Sequence, residues 1–524
     1  MNKVAHAARL RVHGSVSDLI RTHAEIRPSH DAVVFGDRRI SYGELHDLGR
    51  RIGAGLLSAG VSPGARVGLL AKNCDSYFEL LAGCSAARSV LTPVNWRLSA
   101  DEISFVLKDA DIQALFVSSA YFNIAQRLMS ELGRSDRLFL LDGPEQSDCI
   151  YYPSWRDAAK DESALEPTAS DVVLQIYSSG TTGSPKGVQL THANFLAAAE
   201  QAHHGLVGRW SDQDRLLIAL PLFHAGALLT ASYALQVGAT SIILKDADIE
   251  ALMRAASQHE ATKIGFVPAL MQLVIDHPGF SADRFPALDT IIYGGSAITP
   301  ELLQQAVRAF RADFVQLFGM SETFTAGTVL TGPDHHDPAR LATCGRPMHG
   351  IQVRVVRGDG GEADTNEPGE ILIKSATIMK GYWRRPEQTA EVMQDGWYHT
   401  GDVGSIDAEG YLTIRDRLRD MVISGGENIY PVEIENVLIQ HPDVADCAVI
   451  GVPDPRWGET VKAVVVAAAG APKDAEALIV FLQERLARYK CPRSIAFTET
   501  LPRNATGKVL KRVLREAYAQ PTAP

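Results

Sequence analysis

The chain has 524 residues, of which 46% are hydrophobic and 22% charged, a composition typical of a soluble globular enzyme. This length exceeds what one hydrophobic core supports, so two or more domains are expected. The formal net charge of -11 at pH 7 argues against a nucleic-acid partner, because binding to a phosphate backbone needs a basic face.

The N-terminal residues include Lys3, Arg9 and Arg11 and no apolar stretch as long as that of a signal peptide. No run approaches the ~20 apolar residues that cross a bilayer, so we expect no transmembrane segment and a cytoplasmic location. The 6 cysteines include no C-x-x-C pair, which favours reduced structural thiols over a disulfide framework or a zinc site.

From about residue 15 to residue 270 the chain alternates helical and strand-like patterns. Residues 47–59 and 76–87 have helical patterns, and the runs at 66–70 and 114–117 have the character of strands. This alternation is typical of layered α/β structure. The segment 142–171, rich in Asp, Glu, Ser and Pro, is interpreted as an exposed connector.

Two other patterns follow towards the C-terminus. Between residues 350 and 411, short strand-like runs separated by Gly, Asp and Pro turns predict a small β subdomain. After residue 417 the chain predicts a compact α+β unit, with strands at 421–424 and 446–452 and helices at 432–441 and 474–489.

A loop rich in small, hydroxylated and flexible residues follows the apolar run at residues 172–177. It predicts a phosphate cradle for a nucleoside triphosphate, because glycine amides approach an anion closely and hydroxyl groups add donors. Lys186 supplies the counter-charge, but it lies between Pro185 and Gly187 and so departs from the Walker pattern. A Gly/Ser-rich linker is the alternative interpretation. The other predicted phosphate ligands are Ser178, Ser179, Gly180, Thr181, Thr182 and Gly183.

Two further motifs combine a glycine with a carboxylate. The sequence Phe318-Gly319-Met320-Ser321-Glu322 offers an aromatic ring to stack on a purine and a carboxylate to hold Mg²⁺ beside phosphates. The sequence at residues 398–402 ends a strand in Gly401 and Asp402, and Asp402 is suited to accept the hydroxyl groups of a ribose. Taken alone, each motif favours a structural interpretation, a strand-end glutamate for Glu322 and a turn aspartate for Asp402.

Two segments near the end of the chain carry mobile charges. Residues 416–420 alternate acidic and basic side chains, which suits a solvated hinge with one arginine left to contact the nucleotide. Residues 502–508 form a turn-rich loop ending on Lys508, which could be delivered into a cleft as a point charge. A solvated lysine near the terminus is the alternative.

These motifs, in this order, resemble the adenylate-forming superfamily of acyl-CoA synthetases, non-ribosomal peptide adenylation domains and luciferases. The resemblance runs from SYGEL at residues 41–45 to Lys508. It implies an α/β fold in which layered sheets and a β subdomain form a large N-terminal domain, residues 1–416, that carries ATP and the acyl substrate. A hinge at 417–419 would follow, then a small mobile α+β C-terminal domain at 420–524.

The same resemblance implies a role for each motif. Residues 178–186 would wrap the β- and γ-phosphates of ATP, with Thr181 and Glu322 beside Mg²⁺. Gly295, Ser296, Ala297 and Phe318 would enclose adenine, while Asp402 and Arg417 would hold the ribose. Ser296 and Phe318 stand where alanine and tyrosine are commoner in the family.

The C-terminal motifs take roles in the same way. Lys508 resembles the adenylation lysine, which bridges the substrate carboxylate and the α-phosphate. Arg419 occupies the hinge position, where Asp or Lys is commoner, and rotation about it would open a tunnel for the thiol of CoA. Gly425, Gly426 and Glu427 resemble the loop that lines this tunnel.

The acyl pocket of relatives is lined by segments that correspond here to residues after His224, to Gly294 and to residues 320–330. Residues 220–244 contain no Asp, Glu, Lys or Arg, so a dicarboxylate is disfavoured, because its buried second carboxylate would need a cation partner. An apolar monocarboxylate such as a fatty acid is the expected substrate. An aromatic acid, such as a benzoate or hydroxycinnamate, is the runner-up, since Ala227 and Gly327 would leave a flat slot. His224 would gate the pocket mouth or simply be a packed histidine.

Several alternatives stay open at this stage. The acceptor is expected to be CoA, but a free-standing carrier-protein ligase, an acyl-AMP ligase and an oxygenase fit the same motifs. A protein that binds ATP or acyl-adenylate without turnover is the alternative of another class, although it would be expected to lose Lys508 or Glu322. Acetylation of Lys508 by a lysine acetyltransferase would remove a required charge. A homodimer is left open.

Overall fold

The computed structural model describes residues 14–160, 165–178, 185–296, 298–418, 420–424, 427–454, 457–503 and 509–518. The side chains of Arg417, Glu427, Asn428 and Gly458 lie outside this description. The chain divides into two compact units, Met1–Val353 with Ile373–Tyr398, and Arg354–Leu372 with His399–Pro524. The predicted domain boundary at residue 416 falls inside the second unit and stays a prediction.

The first unit contains a 9-stranded sheet that is parallel over most of its width. Its strands are short and buried, with β-branched and aromatic residues such as Ile291, Ile292 and Phe314 facing its core. Parallel neighbours need a crossover, and helices fill those connections. In spatial order the strands are Arg346–Pro347, Thr328–Leu330, Asp313–Phe318, Thr290–Gly294, Lys263–Phe266, Arg215–Ile218, Thr240–Ile243, Asp31–Phe35 and Arg38–Ser41.

A second, 8-stranded sheet belongs to the same unit. It is parallel in its centre, and an antiparallel pair, Val172–Ser178 with Lys186–Thr191, lies near one edge. This pair flanks the predicted phosphate loop. In spatial order the strands are Gly381–Tyr382, Lys186–Thr191, Val172–Ser178, Val90–Pro93, Arg66–Leu70, Ala114–Val117, Leu138–Leu140 and Ile150–Tyr151.

Several helices of this unit begin after a residue whose side chain accepts from a free backbone N–H group. Ser41 and Ser99 each form a capping box with the glutamate three positions later. Two neighbouring helices approach closely because a Cβ on Gly49 would lie 2.7 Å from the Cβ of Ala82. The helices are Val16–Ile26, Tyr42–Ser58, Ser76–Ala86, Ala100–Asp109, Phe122–Glu131, Tyr152–Ala158, His192–Ala199, Ala225–Val237, Ile249–Gln258, Pro268–Ile275, Pro300–Ala309 and Pro386–Val392.

The described residues of the segment 142–171 are exposed or half-buried, as expected of a connector, with the exception of Tyr152. The segment contains the strand Ile150–Tyr151 and the helix Tyr152–Ala158, and Tyr152 is buried. The reason is tertiary: the Tyr152 hydroxyl donates to Glu79 at 2.6 Å, and its ring meets Phe116 edge-on. The polar composition of the segment therefore gave no indication that Tyr152 is buried.

The second unit confirms the predicted α+β character. Its C-terminal part is a sheet in the order Glu427–Ile429, Val422–Ser424, Gly458–Ala467 and Val444–Asp454, with Ser494–Thr498 paired to Gly458–Ala467. Helices Pro431–Leu438, Ala475–Gln483 and Lys511–Tyr518 accompany it, and the predicted helix at 474–489 ends at Gln483. The short strands predicted between 350 and 411 correspond to Gln352–Val356, Gly369–Lys374, Trp397–Ile406 and Leu412–Arg417, and the first unit also contains the strand Met393–Gln394.

Among the described residues, no helix combines the length and the apolar character that crossing a membrane would require.

Candidate active site

The two ends of the predicted phosphate loop are held together by the antiparallel pair that flanks it. Ser178 and Lys186 are register partners across this pair. The strand before the loop is anchored by Val173, Leu174 and Ile176, which are buried. The loop residues Ser179, Gly180, Thr181, Thr182 and Gly183 lie outside the described residues.

Glu322 lies beside the start of this loop. Its buried carboxylate accepts a hydrogen bond from the Tyr382 hydroxyl at 2.9 Å and one from the Ser178 hydroxyl at 3.4 Å, both on Oε1. The structure thus brings together two motifs separated by 144 positions. A carboxylate next to a hydroxyl is a donor set that suits Mg²⁺, which is held by one or two carboxylates together with phosphate oxygens. Glu322 and the Ser178 hydroxyl therefore fit the predicted metal.

The backbone around Glu322 is tightly folded. A Cβ on Gly319 would lie 2.4 Å from the carbonyl carbon of Thr325, so only glycine fits there. The Met320 carbonyl accepts from the Thr325 N–H at 2.7 Å, closing a turn that also contains the half-buried Ser321. Phe318 is the last residue of its strand and is half-buried. The pentapeptide is thus a rigid strand end that fixes the Glu322 backbone.

The strand that leads to the predicted adenine residues ends beside the strand that leads to the pentapeptide. Gly294 ends a strand parallel to the one that ends at Phe318, and Gly294 is the register partner of Leu317. A Cβ on Gly294 would lie 2.4 Å from the Leu317 carbonyl oxygen, so the two strand ends touch through backbone atoms. Gly295 has φ +83° and Ser296 is exposed, while Ala297 lies outside the described residues.

His224 stands at the beginning of the helix Ala225–Val237, an apolar helix in which Ala227 is buried. Its ring lies 4.2 Å from that of Phe223, and Phe223 meets Trp96 edge-on. Burial, with a smaller contribution from Arg97, lowers the pKa of His224 to about 4. The imidazole is therefore neutral at physiological pH, as an apolar surrounding requires.

The last residue predicted for the acyl pocket, Gly327, is buried. A Cβ there would lie 2.6 Å from the Phe318 carbonyl oxygen, so the backbone of the pentapeptide excludes any larger residue. The small size of this residue is thus required by the neighbouring strand.

In the second unit, Asp402 and Arg417 are register partners on neighbouring antiparallel strands. The predicted ribose residues are thus brought together, although the side chain of Arg417 lies outside the described residues. The turn before Asp402 is held by Glu370, which accepts from the Gly401 N–H at 3.2 Å and is paired with the His399 ring at 2.9 Å. Asp402 is buried and its N–H donates to the Thr400 hydroxyl at 3.0 Å.

The remaining predicted residues of the second unit fall where the structure is not described. Lys508, Arg419, Gly425 and Gly426 lie outside the described residues, as does the side chain of Glu427, whose backbone pairs with that of Ser424. Their roles stay predictions.

Two residues of the site were missed by the sequence analysis, Tyr382 and Glu370. Tyr382 follows a glycine with φ +150° and precedes a tryptophan and two arginines, a pattern with no obvious ligand chemistry. Glu370 follows Gly369, the first residue of its strand, and is one acidic residue among many. Only the fold shows that each contacts a predicted site residue.

Comparison with known proteins decides the family. A family model described as AMP-binding enzyme matches residues 20–383. The chain belongs to the AMP-binding enzyme family. A second model, the AMP-binding enzyme C-terminal domain, matches residues 433–508 of the enzyme. The predicted membership of the adenylate-forming superfamily is confirmed.

Named relatives of this AMP-binding enzyme cover nearly its whole length. A fatty acid acyl-carrier-protein ligase, ScoC of Streptomyces coeruleorubidus, is 36% identical over 97% of this chain and 97% of its own. A feruloyl-CoA synthase of Amycolatopsis sp is 38% identical over 94% of this chain and 97% of its own. The solved structure of a Mycobacterium tuberculosis fatty acyl CoA synthetase has a TM-score of 0.77 at 32% identity, covering 96% of this chain and 98% of its own.

These findings confirm the predicted α/β fold, the ATP-dependent ligase class and the use of ATP, Mg²⁺ and CoA. The names of the relatives divide between fatty and aromatic acids, so the class of acid is left open.

Proposed function

We propose that this acyl-CoA synthetase activates an apolar monocarboxylic acid, such as a fatty acid, with ATP and transfers the acyl group to CoA. The observation that carries the proposal is the hydrogen bond from the Ser178 hydroxyl to the Glu322 carboxylate, at 3.4 Å. Phosphates held by the loop after Ser178 would lie beside this carboxylate. Because two anionic groups repel each other, a divalent cation between them is needed.

The first half-reaction follows from this arrangement. Lys186 and the loop hydroxyls would hold the β- and γ-phosphates, while Glu322 and Thr181 would hold the cation that offsets their charge. The acid's carboxylate attacks the α-phosphorus, pyrophosphate leaves, and the acyl-adenylate forms. Lys508 would stabilise the charge that develops on the α-phosphate. The adenine would lie against Phe318 and the strand end at Gly294–Ser296, and the ribose against Asp402 and Arg417.

Support for an apolar acid comes from the helix Ala225–Val237. It is buried and uncharged along its length, and the hydroxyls of Thr230 and Ser232 donate to backbone carbonyls of the same helix. A pocket built against this helix offers apolar surface and a neutral His224, which suits a hydrocarbon chain.

An aromatic acid is the second candidate. It is favoured by the small residues Ala227 and Gly327, and by the 38% identity to a feruloyl-CoA synthase. The two candidates separate on kinetics. A kcat/KM that rises with aliphatic chain length supports a fatty acid, whereas strong selection for a ring hydroxyl supports an aromatic acid.

The proposal extends to the acceptor of the acyl group and to the regulation of the enzyme. CoA is the acceptor we favour, and a carrier protein is the alternative raised by the relative ScoC. All three named relatives are ligases or synthetases, which favours turnover over the non-catalytic alternative. We also propose a cytoplasmic location, a homodimer, and acetylation of Lys508 as a means of stopping adenylation. Full adenylation activity after chemical acetylation would contradict the last point.

The test measures pyrophosphate release from ATP across aliphatic, aromatic and dicarboxylic acids, with and without CoA. We expect release with one class of monocarboxylate, a thioester product when CoA is present, and loss of both in Lys508→Ala. Release with dicarboxylates alone, or release that is equal in Lys508→Ala, would contradict the proposal. Replacing CoA with a carrier protein that has its phosphopantetheine thiol, and then with one that lacks it, identifies the acceptor.

A further inference from the structure

A segment that no predicted motif includes runs along Lys186–Thr191, the strand that follows the phosphate loop and is called its return strand below. This segment, residues 379–385, is called the clasp segment below. Its backbone donates from Trp383 to Gly187 at 2.7 Å and from Lys380 to Gln189 at 2.9 Å. Its first residue, Met379, donates its N–H to the carbonyl of Glu322 at 2.7 Å. The clasp segment therefore joins the loop's return strand to the backbone of Glu322.

Tyr382 makes the same connection through its side chain. Its hydroxyl donates to Glu322 Oε1 at 2.9 Å, and the Nζ atom of Lys186 lies 4.9 Å from the centre of its ring. A lysine ammonium over an aromatic face is attracted by the ring's negative face. The tyrosine hydroxyl is the donor in this contact, because an ionised carboxylate oxygen only accepts.

The clasp segment also holds the other end of the loop. Arg385 donates to Asp109 Oδ1 at 2.6 Å, and the indole N–H of Trp383 donates to the Asp109 carbonyl at 3.0 Å. Asp109 Oδ2 in turn accepts from the hydroxyl of Tyr177 at 2.7 Å, and Tyr177 directly precedes Ser178. Both flanks of the phosphate loop are thus tied to one short segment.

The hydrogen-bond partners of Glu322 differ in charge from those of a second buried glutamate, and this difference indicates the role of Tyr382. A second buried tyrosine–glutamate pair occurs in the same unit, where Tyr152 donates to Glu79 at 2.6 Å. Glu79 is also paired with the guanidinium groups of Arg38 and Arg156, so its charge is offset. Among the described residues, the side-chain hydrogen bonds to Glu322 come from neutral hydroxyls instead. Its negative charge is therefore still available to a cation.

We propose that Tyr382 is a positioning residue for adenylation, whose hydroxyl orients Glu322 towards the cation bound with ATP and whose ring places Lys186 at the phosphates. The proposal rests on the proposed function, in which Glu322 binds that cation. Both hydroxyl contacts use Oε1, so they restrict rotation of the carboxylate without using Oε2. Pre-orienting a ligand in this way lowers the cost of ordering it when the cation arrives.

The test separates the two parts of the side chain. Tyr382→Phe removes the hydroxyl and keeps the ring, whereas Tyr382→Leu removes both. Binding of Mn²⁺ to the complex of the enzyme with a non-hydrolysable ATP analogue is measured by electron paramagnetic resonance, beside the Mg²⁺ dependence of pyrophosphate release. Tyr152→Phe is the matched control, because it removes the same hydroxyl from a buried tyrosine–glutamate pair outside the site.

Tyr382→Phe is expected to weaken Mn²⁺ binding and to raise the half-saturating Mg²⁺ concentration by about tenfold or more, the factor for losing one hydrogen bond to a charged group. The KM of the acid should not change. Tyr382→Leu should in addition weaken binding of the ATP analogue in the absence of metal, because Lys186 loses the ring. Tyr152→Phe should lower the unfolding midpoint and leave Mn²⁺ binding as in the wild type.

A double-mutant cycle with Glu322→Gln decides whether the tyrosine acts through the carboxylate. If it does, Tyr382→Phe has no further effect on Mn²⁺ binding in the Glu322→Gln background. Equal effects in both backgrounds, or Mn²⁺ binding by Tyr382→Phe that matches the wild type, would overturn the proposal. Circular dichroism and the unfolding midpoint show whether a variant is folded, and if Tyr382→Phe is not, Ser178→Ala tests the other hydroxyl on the same Oε1 atom.

Failure of the proposed function and failure of the role of Tyr382 give different results in these measurements. If wild-type enzyme releases no pyrophosphate with any acid, the proposed function fails, but the Mn²⁺ measurement still reports on Tyr382. If wild-type enzyme is active and Glu322→Gln binds Mn²⁺ normally, the role of Glu322 is wrong and the role of Tyr382 falls with it.

Discussion

Acidification should destabilise the first unit through His192. This histidine is 1% exposed, and its Nδ1 accepts the N–H of Val16 at 3.2 Å, tying together elements 176 positions apart. Burial lowers its pKa to about 4 from an ordinary value of 6.5, and Asp171 and Asp18 oppose this only weakly. Protonation would also remove the lone pair that accepts the Val16 N–H.

The sign of the effect follows from proton binding. Between pH 6.5 and pH 4 the unfolded chain binds a proton at this histidine and the folded chain does not, so stability falls as pH falls through this window. A pKa difference of this size corresponds to roughly 2 kcal/mol lost on going from pH 7.5 to pH 5. The half-buried His224, whose pKa is also lowered to about 4, adds a contribution of the same sign.

The assay is urea unfolding at pH 7.5 and pH 5, comparing wild type with His192→Asn, which places a non-titrating amide oxygen near the Val16 N–H. We expect the variant to be less stable than wild type at pH 7.5, because the amide fills the ring's space poorly, but to lose less stability at pH 5. The difference between the two pH values should shrink by roughly 2 kcal/mol. An unchanged difference would refute the reasoning, since it would mean that His192 does not bind fewer protons when folded.

Two further predictions concern the nucleotide residues. Glu370→Ala removes the acceptor of the Gly401 N–H and the partner of His399, so the turn before Asp402 loses its restraint. We expect the KM of ATP to rise by about tenfold while the KM of the acid stays unchanged. Equal changes in both KM values would contradict this. Gly319→Ala places a Cβ 2.4 Å from backbone of Thr325, so we expect displacement of Glu322 and loss of most pyrophosphate release in a protein that still folds; near wild-type release would refute the reasoning.

Short motifs allowed ligand chemistry to be predicted from local sequence. The phosphate loop, the pentapeptide ending at Glu322 and the turn ending at Asp402 were each assigned a role from glycine, hydroxyl and carboxylate residues in a few consecutive positions, and these roles stay predictions. The alternation of helical and strand-like patterns likewise predicted layered α/β structure, since those periods arise from which faces are buried.

The sequence did not predict structural features that depend on contacts between residues far apart in the chain. The polar composition of the segment 142–171 predicted its general exposure, but not the burial of Tyr152, which bonds to Glu79, 73 positions earlier. Tyr382 could not be predicted as part of the site because its partner, Glu322, lies 60 positions away and no local pattern links them.

The sequence by itself determined the family and the ligase chemistry, and it predicted the residue types that would handle phosphate, because these depend on local motifs that keep their order along the chain. Only the tertiary structure decided which side chains meet: the hydroxyl of Ser178 with Glu322, Tyr382 with both Glu322 and Lys186, and Glu370 with the turn before Asp402. The physical reason is that strand pairing and burial set these distances, and both depend on residues far apart in the chain.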